Sequence, residues 1–218
     1  MVIPLNARIF EAMKVRKIDT PHGPAEAHIE AVTGAAATLV LGHGAGGGIE
    51  APDLMVARDV AAESGLSVVR VLQPYRVADR KAVAPVKQLD AAWLAVIADL
   101  RENGPVGAGK LISGGRSSGA RVACRTAAEA GADAVLCLAF PEHPPGKGDD
   151  PTKSRQGELD AVEVPVLVVQ GERDPFGGPK ATRATHEIVV VKGDHGLKAD
   201  RDAIAEAIRE WIGRLPGL

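Results

Sequence analysis

The chain of 218 residues has the length of one folded domain, since a single core usually stops growing at about 250 residues. Hydrophobic residues make up 45% of it and charged residues 25%, which is the balance of an ordinary globular protein. A formal net charge of -2 provides no positive surface for nucleic acid or for an anionic membrane, so neither is expected as a partner. We therefore expect residues 1–218 to form one domain.

The cysteines and the N-terminal stretch predict a compartment. Cys124 and Cys137 both fall in predicted buried elements, which favours reduced thiols over a disulfide. Residues 1–17 mix charged and apolar side chains and lack the apolar core of a signal peptide. No run approaches the roughly 18 apolar residues of a membrane span. These features predict a cytoplasmic protein.

The first half of the chain predicts a hairpin and then alternating strands and helices. Two strands, Lys14 to Asp19 and Ala25 to Val32, flank a turn rich in glycine and proline. The continuous apolar run Ala37 to Leu41 is typical of a parallel strand that is buried on both faces. The elements that follow are a helix near Asp53 to Ser64, a strand from Leu66 to Val71, a polar connection from Pro74 to Pro85 and an amphipathic helix from about Val86 to Glu102.

The second half continues the alternation. Because consecutive parallel strands are joined by right-handed crossovers, every turn from a strand into a helix should lie at one edge of the sheet. The loop Pro141 to Pro151 is rich in helix breakers and is predicted to be mobile and to cover a site. The predicted elements are strands at Lys110 to Gly114, Ala134 to Phe140, Val164 to Gln170 and Glu187 to Val191, and helices at Ala120 to Gly131, Arg155 to Ala161, Pro179 to Ala184 and up to Trp211.

The stretch Gly42 to Gly48, called the glycine loop below, has two interpretations. Gly42, Gly44 and Gly47 fit the G-x-G-x-x-G dinucleotide pattern. That fold needs a helix opening at the third glycine and an acidic residue ending the next strand, and the chain has neither. We therefore favour a loop whose backbone N–H groups face a developing negative charge, as in half of an oxyanion hole. His43 is expected to shape this loop through a side-chain hydrogen bond.

A G-x-S-x-G pattern runs from Gly115 to Gly119, between a predicted strand and a predicted helix. Glycines on either side of the serine let strand and helix approach closely while the hydroxyl of Ser117 stands clear of both. The pattern and its position predict a nucleophile elbow with Ser117 at its apex.

Two further residues at the same predicted edge of the sheet could activate Ser117 as a nucleophile. His195 can take the proton from Ser117, and Asp174 can fix the imidazole tautomer and stabilise the imidazolium. The order Ser, Asp, His along the chain is the order expected of α/β-hydrolases. Asp194 is an alternative acid, but its adjacency to His195 makes it hard for its carboxylate to meet that ring.

Four segments together resemble the α/β-hydrolase superfamily, and within it the small branch with the dienelactone-hydrolase-like and KANL3/Tex30-like proteins. The resemblance implies an α/β-hydrolase fold, with a mostly parallel central sheet, helices on both faces and no cap domain. It also implies that the backbone N–H groups of Ser118 and of Ala45 or Gly46 form the oxyanion hole. Dienelactone hydrolases use cysteine where this chain has Ser117, which argues against their particular reaction. The four segments are Leu41 to Gly46, Gly114 to Arg121, Gln170 to Gly177 and Gly193 to Lys198.

Several residues at the same edge could bind substrate. Arg116, with Arg76 and Arg173 near it, could recognise an anionic acyl group, or could instead form structural ion pairs. Tyr75 could shape the substrate pocket, and His143 could touch substrate or be an ordinary solvated loop histidine.

The expected activity is that of a cytoplasmic serine hydrolase acting on a small ester or related acyl compound. The reaction would pass through an acyl-Ser117 intermediate and would require no metal and no organic cofactor. The alternative is a non-catalytic protein-interaction module on the same scaffold, because the KANL3/Tex30-like group includes a subunit of a chromatin complex.

Overall fold

An eight-stranded sheet lies at the centre of the computed structural model, which describes residues 12–148 and 150–218. Most of the N-terminal stretch that lacks a signal pattern, residues 1–11, lies outside the described residues. So does Asp149 in the loop Pro141 to Pro151. The strands are β1 (Lys14–Ile18), β2 (Ala25–Glu30), β3 (Ala37–Gly42), β4 (Ser67–Leu72), β5 (Lys110–Arg116), β6 (Ala134–Leu138), β7 (Val166–Gly171) and β8 (His186–Val191).

The strands lie in the order β1-β2-β4-β3-β5-β6-β7-β8. The pairs β1·β2 and β2·β4 are antiparallel, and all the other pairs are parallel. The predicted N-terminal hairpin is therefore confirmed, and it lies at one edge of a parallel sheet. Because the strands from β3 onwards run in the same direction, their C-terminal ends meet at one edge.

Helices cover both faces of the sheet, as the predicted fold class requires. One face packs against two helices, α3 and α4, and the other packs against α1 and α6. No helix within residues 12–148 and 150–218 is long and apolar enough to cross a membrane. The helices are α1 (Pro52–Glu63), α2 (Pro74–Val77), α3 (Val86–Asn103), α4 (Ser118–Thr126), α5 (Gln156–Asp160) and α6 (Arg201–Arg214).

Strand β3 shows how the two cores divide. Val40 faces the core formed with α3 and α4, whereas Leu39 and Leu41 face the core formed with α1 and α6. Successive side chains of a strand point to opposite faces, so a strand with helices on both sides buries side chains at every position and is mostly apolar. This explains the unbroken apolar run from which the buried strand was predicted.

One predicted helix, Pro179 to Ala184, is wrong. The segment is irregular and is held against α5 by side-chain hydrogen bonds from both ends of that helix. Gln156 bonds the backbone N–H and C=O of Lys180, and the hydroxyl of Thr182 donates to Asp160. These bonds hold the segment in place without helical turns. The connection between β6 and β7 holds α5 and a 3-10 turn at Pro151–Lys153, and no cap domain among the described residues.

The elbow between β5 and α4 lies directly against the end of β3. This close approach is possible because two residues of the elbow are glycines and have no side chain. A Cβ atom on Gly119 would lie 2.4 Å from the carbonyl oxygen of Gly42, and one on Gly115 would lie 2.6 Å from the same oxygen. Real Cβ atoms do not approach backbone oxygens so closely. The predicted reason for glycine at these two positions is therefore confirmed.

We expect Gly119→Ala to destabilise the fold by about 1–3 kcal/mol, because the new methyl group must push α4 away from β3. Chemical denaturation measures the loss. Gly213→Ala is the matched control, since a Cβ on Gly213 in α6 meets no atom within 4 Å. It should stabilise by up to about 1 kcal/mol through helix propensity. Equal stability of the Gly119→Ala variant and the wild type would contradict the packing argument.

Candidate active site

Ser117 occupies a strained turn between β5 and α4. Its backbone has φ +52° and ψ -111°, a combination that residues other than glycine rarely adopt. The backbone N–H of Ser117 donates to the carbonyl of Leu138 at 2.9 Å, so the turn stays attached to the sheet. Strain of this kind persists where the surrounding structure enforces it, and it often marks functional sites.

The structure brings the side chains of Ser117, His195 and Asp174 into one hydrogen-bonded row. His195 Nε2 lies 2.9 Å from Ser117 Oγ, and His195 Nδ1 lies 2.8 Å from Asp174 Oδ2. A carboxylate can only accept, so Nδ1 carries the proton and Nε2 is free to accept from the serine hydroxyl. These residues come from the turns after β5 and β7 and from the loop after β8.

Asp174 is held by two donors besides His195. Gln170 Nε2 donates to Asp174 Oδ2 at 2.8 Å, and the backbone N–H of Phe176 donates to Oδ1 at 2.9 Å. The Phe176 ring lies 4.4 Å from the His195 ring, centroid to centroid. Sequence reasoning missed Gln170 and Phe176, although a glutamine at the end of the apolar strand β7 was a visible signal. The carboxylate of Asp194 instead accepts from the N–H of Gly196 at 2.8 Å, within its own loop.

His43 and Tyr75 fix two carbonyl groups of the glycine loop. His43 Nδ1 lies 2.8 Å from the oxygen of Gly44, and the N–H of Gln73 donates to His43 Nε2 at 3.1 Å. His43 is therefore the neutral tautomer with its proton on Nδ1, and burial lowers its pKa. The Tyr75 hydroxyl donates to the oxygen of Ala45 at 2.8 Å.

The glycine loop also lies beside the elbow. A Cβ atom on Gly44 would be 3.5 Å from Ser117 Cβ. In a trans peptide the C=O and the following N–H point in opposite directions. With the Gly44 and Ala45 oxygens turned to His43 and Tyr75, the N–H groups of Ala45 and Gly46 face away from those two side chains. Ser118, whose N–H is the other predicted donor, is the first residue of α4.

Arg116 contacts protein groups. Its Nε lies 2.9 Å from Asp53 Oδ2, and its Nη2 donates to the carbonyl of His195 at 2.8 Å. These contacts favour the structural interpretation of Arg116 over recognition of an anionic substrate. Of the other two arginines, Arg173 is exposed beside Glu172, and Arg76 donates to the backbone of Arg80.

The expectation of a solvated loop histidine at position 143 is wrong. His143 is 8% exposed, and its N–H donates to the carbonyl of Phe176 at 2.9 Å. Arg155 Nη1 donates to the carbonyls of Pro141 and His143 and fixes the start of the predicted mobile loop. His143 is therefore bonded to the main chain of Phe176, the residue whose ring packs on His195. In residues 12–148 and 150–218, no group of three or more His, Cys, Asp or Glu residues is placed to hold a metal ion.

Comparison with known proteins places the chain in a family. Residues 35–211 match the model of a family described as an alpha/beta hydrolase domain. No curated protein sequence matches the chain.

Three solved structures similar to this chain are identical to it at a fifth of positions or fewer, so the similarity concerns the fold. A serine hydrolase without a lid from Xanthomonas campestris is 20% identical, with a TM-score of 0.74 over 94% of this chain and 96% of that chain. The dienelactone hydrolase of Anabaena variabilis is 17% identical, with a TM-score of 0.73 over 94% and 98%. Est1E of Butyrivibrio proteoclasticus, with ferulic acid bound, is 18% identical, with a TM-score of 0.72 over 92% and 98%.

The buried, neutral His43 predicts a pH dependence of stability. Its pKa is lowered in the folded state, so below pH about 6.5 the unfolded chain binds a proton that the folded chain does not. Between pH 7.5 and 5.5 the wild type should therefore lose more unfolding free energy than His43→Gln, which cannot titrate there, by up to about 1.4 kcal/mol. Urea denaturation at the two pH values measures this. Equal losses in the two proteins would contradict a neutral His43.

Proposed function

The chain belongs to the alpha/beta hydrolase domain family, and we propose that it is a serine hydrolase that cleaves a small ester or related acyl compound. In this proposal Ser117 is the nucleophile, His195 the general base and Asp174 the residue that orients the base. The observation that carries the proposal is the pair of hydrogen bonds of 2.9 and 2.8 Å that links the three side chains.

The first half of the proposed reaction acylates the serine. Ser117 Oγ attacks the carbonyl carbon of the substrate while its proton passes to His195 Nε2. The tetrahedral intermediate collapses, the bond to the alcohol oxygen breaks, and His195 returns the proton to that oxygen. Asp174 stabilises the imidazolium formed in between, and the bond from Gln170 keeps its carboxylate in place.

The second half releases the acid. A water molecule attacks the acyl-Ser117 carbonyl carbon and gives a proton to His195, which then protonates Ser117 Oγ as the acyl–oxygen bond breaks. The negative oxygen formed in each half is assigned to the N–H of Ser118 and to that of Ala45 or Gly46. Ser118 directly follows Ser117, and the glycine loop touches the elbow at Gly44, which supports this assignment. One such donor is typically worth about 2.7–4 kcal/mol in the transition state.

The substrate is proposed to be small and to reach Ser117 without a cap domain opening. Tyr75 and His143 stay proposed as substrate-binding residues, Tyr75 acting through the Ala45 carbonyl and His143 through the main chain of Phe176. The chemistry uses side chains and backbone amides of the protein and needs no metal or organic cofactor. The Gly-Arg-Ser elbow and the Gly-Asp-His segment support a place in the KANL3/Tex30-like group. The free thiols of Cys124 and Cys137 support a cytoplasmic location. A panel of 4-nitrophenyl esters with increasing acyl length, together with methyl ferulate, would define the acyl preference.

Labelling with a fluorophosphonate tests whether the site is active. The wild type should be labelled at one residue, and Ser117→Ala should lose both the label and at least about 10³-fold of its ester hydrolysis. Ser64→Ala is the control, because that hydroxyl bonds the carbonyl of Val60 at the end of α1. A folded wild type that takes no label and hydrolyses no ester would support the alternative function, a non-catalytic interaction module.

A pair of variants tests the identity of the acid. Asp174→Asn should lower kcat about 10⁴-fold, because an amide in place of the carboxylate favours the wrong imidazole tautomer. Asp194→Asn should retain most activity, since that carboxylate bonds Gly196 within its own loop. Steady-state kinetics with one ester would measure kcat of both variants. A large loss of kcat in Asp194→Asn with little loss in Asp174→Asn would assign the role to Asp194.

A further inference from the structure

We infer that Arg116 is a positioning residue that holds His195 against Ser117 by tying the backbone of the histidine loop, Lys192 to Lys198, to buried Asp53. The inference rests on the proposed function and adds to it the contacts that keep the His195 ring in place. Three contacts of one guanidinium group carry it.

The first contact reaches the base itself. Arg116 is the last residue of β5 and directly precedes Ser117, while His195 lies 79 positions away along the chain. Arg116 Nη2 donates to the carbonyl oxygen of His195 at 2.8 Å. The residue next to the nucleophile therefore holds the main chain of the residue that activates it.

The second contact fixes the guanidinium. Asp53 is fully buried in the first turn of α1, where its Oδ1 accepts from the N–H of Leu54 at 3.0 Å and its Oδ2 lies 2.9 Å from Arg116 Nε. Burial raises the pKa of the Asp53 carboxyl, and the charge of Arg116 opposes that rise. Because a guanidinium is planar and rigid, the charge contact at Nε also limits where Nη2 can lie.

The third contact involves the glycine loop. A Cβ atom on Gly44 would lie 2.9 Å from Arg116 Nη1, so the guanidinium packs directly against this residue. One side chain thus contacts the loop of the proposed oxyanion donors, the loop of the proposed base and the start of α1. These are three separate segments that must keep their places relative to Ser117.

The same contacts predict which kinetic constant Arg116 controls. A residue that binds an anionic substrate needs free N–H groups, whereas in Arg116 both Nε, beside Asp53, and Nη2, at the His195 carbonyl, are engaged by protein oxygens. Loss of a positioning contact lowers kcat for every substrate, whereas loss of a substrate contact raises KM for the substrate that used it.

The kinetic experiment compares Arg116→Lys and Arg116→Met with the wild type on two esters of equal acyl length. The esters are neutral 4-nitrophenyl hexanoate and anionic mono-4-nitrophenyl adipate. Lysine can keep the ion pair with Asp53 but cannot also reach the His195 carbonyl with a second fixed donor. Both variants should lose about 10- to 100-fold in kcat, equally for the two esters, with KM within about twofold.

The matched control is Arg121→Met. The side chain of Arg121 is as exposed as that of Arg116, at 18%, and it also forms an ion pair, with Glu158. It lies in α4 and donates to Glu158, so it should retain wild-type kcat. Wild-type kcat in Arg116→Lys, or a KM increase confined to the adipate, would overturn the inference.

Hydrogen–deuterium exchange tests the contact between Arg116 and the histidine loop without relying on activity. In Arg116→Lys, the amides of the histidine loop should exchange faster than in the wild type and in Arg121→Met, while β7 and α6 stay protected. Unchanged exchange in that loop would overturn the inference even in an active enzyme. A wild type that is not labelled and hydrolyses neither ester would instead overturn the proposed function, and that result is read from the wild type alone.

Discussion

The contact between the Gly42 carbonyl and the glycines of the elbow is the constraint on which the site depends. With no side chain at Gly115 or Gly119, α4 begins directly against the end of β3. The turn between them is then so short that Ser117 must adopt a positive φ. The same closeness puts the glycine loop, which continues from β3, beside the serine. A single steric condition thus fixes both the proposed nucleophile and the proposed oxyanion loop.

The parallel sheet supplies the other groups, and polar side chains hold them. The parallel strands place the turns after β5 and β7 and the loop after β8 at one edge of the sheet. The strands alone do not fix the side chains in these turns. Gln170 holds the carboxylate of Asp174, Tyr75 holds the glycine loop, and Arg116 holds the histidine loop. Each of these groups is wholly or largely buried, so its polar atoms must find partners in the protein.

The sequence predicted the parts of this site whose patterns are local. The elbow motif, the apolar strand before it and the positions of Asp174 and His195 after strands are all visible along the chain, and so the fold class could be inferred. The helix proposed at Pro179 to Ala184 failed because its hydrogen-bond partners come from α5, more than twenty positions away. The burial of His143 was missed for the same reason, since its neighbour Phe176 belongs to another loop.

The ion-pair partners of the buried charged residues could not be predicted from the sequence. Nothing local links Arg116 to Asp53, which lies in the first turn of a different helix, and yet this pairing decides between two roles for the arginine. An arginine next to a nucleophile invites the idea of anion binding. Breaking a buried ion pair leaves an uncompensated charge and typically costs about 3–5 kcal/mol, so Asp53 makes it costly for Arg116 to turn towards a substrate. The position of Arg116 suggests recognition of a substrate, but its contacts favour keeping the proposed base in place.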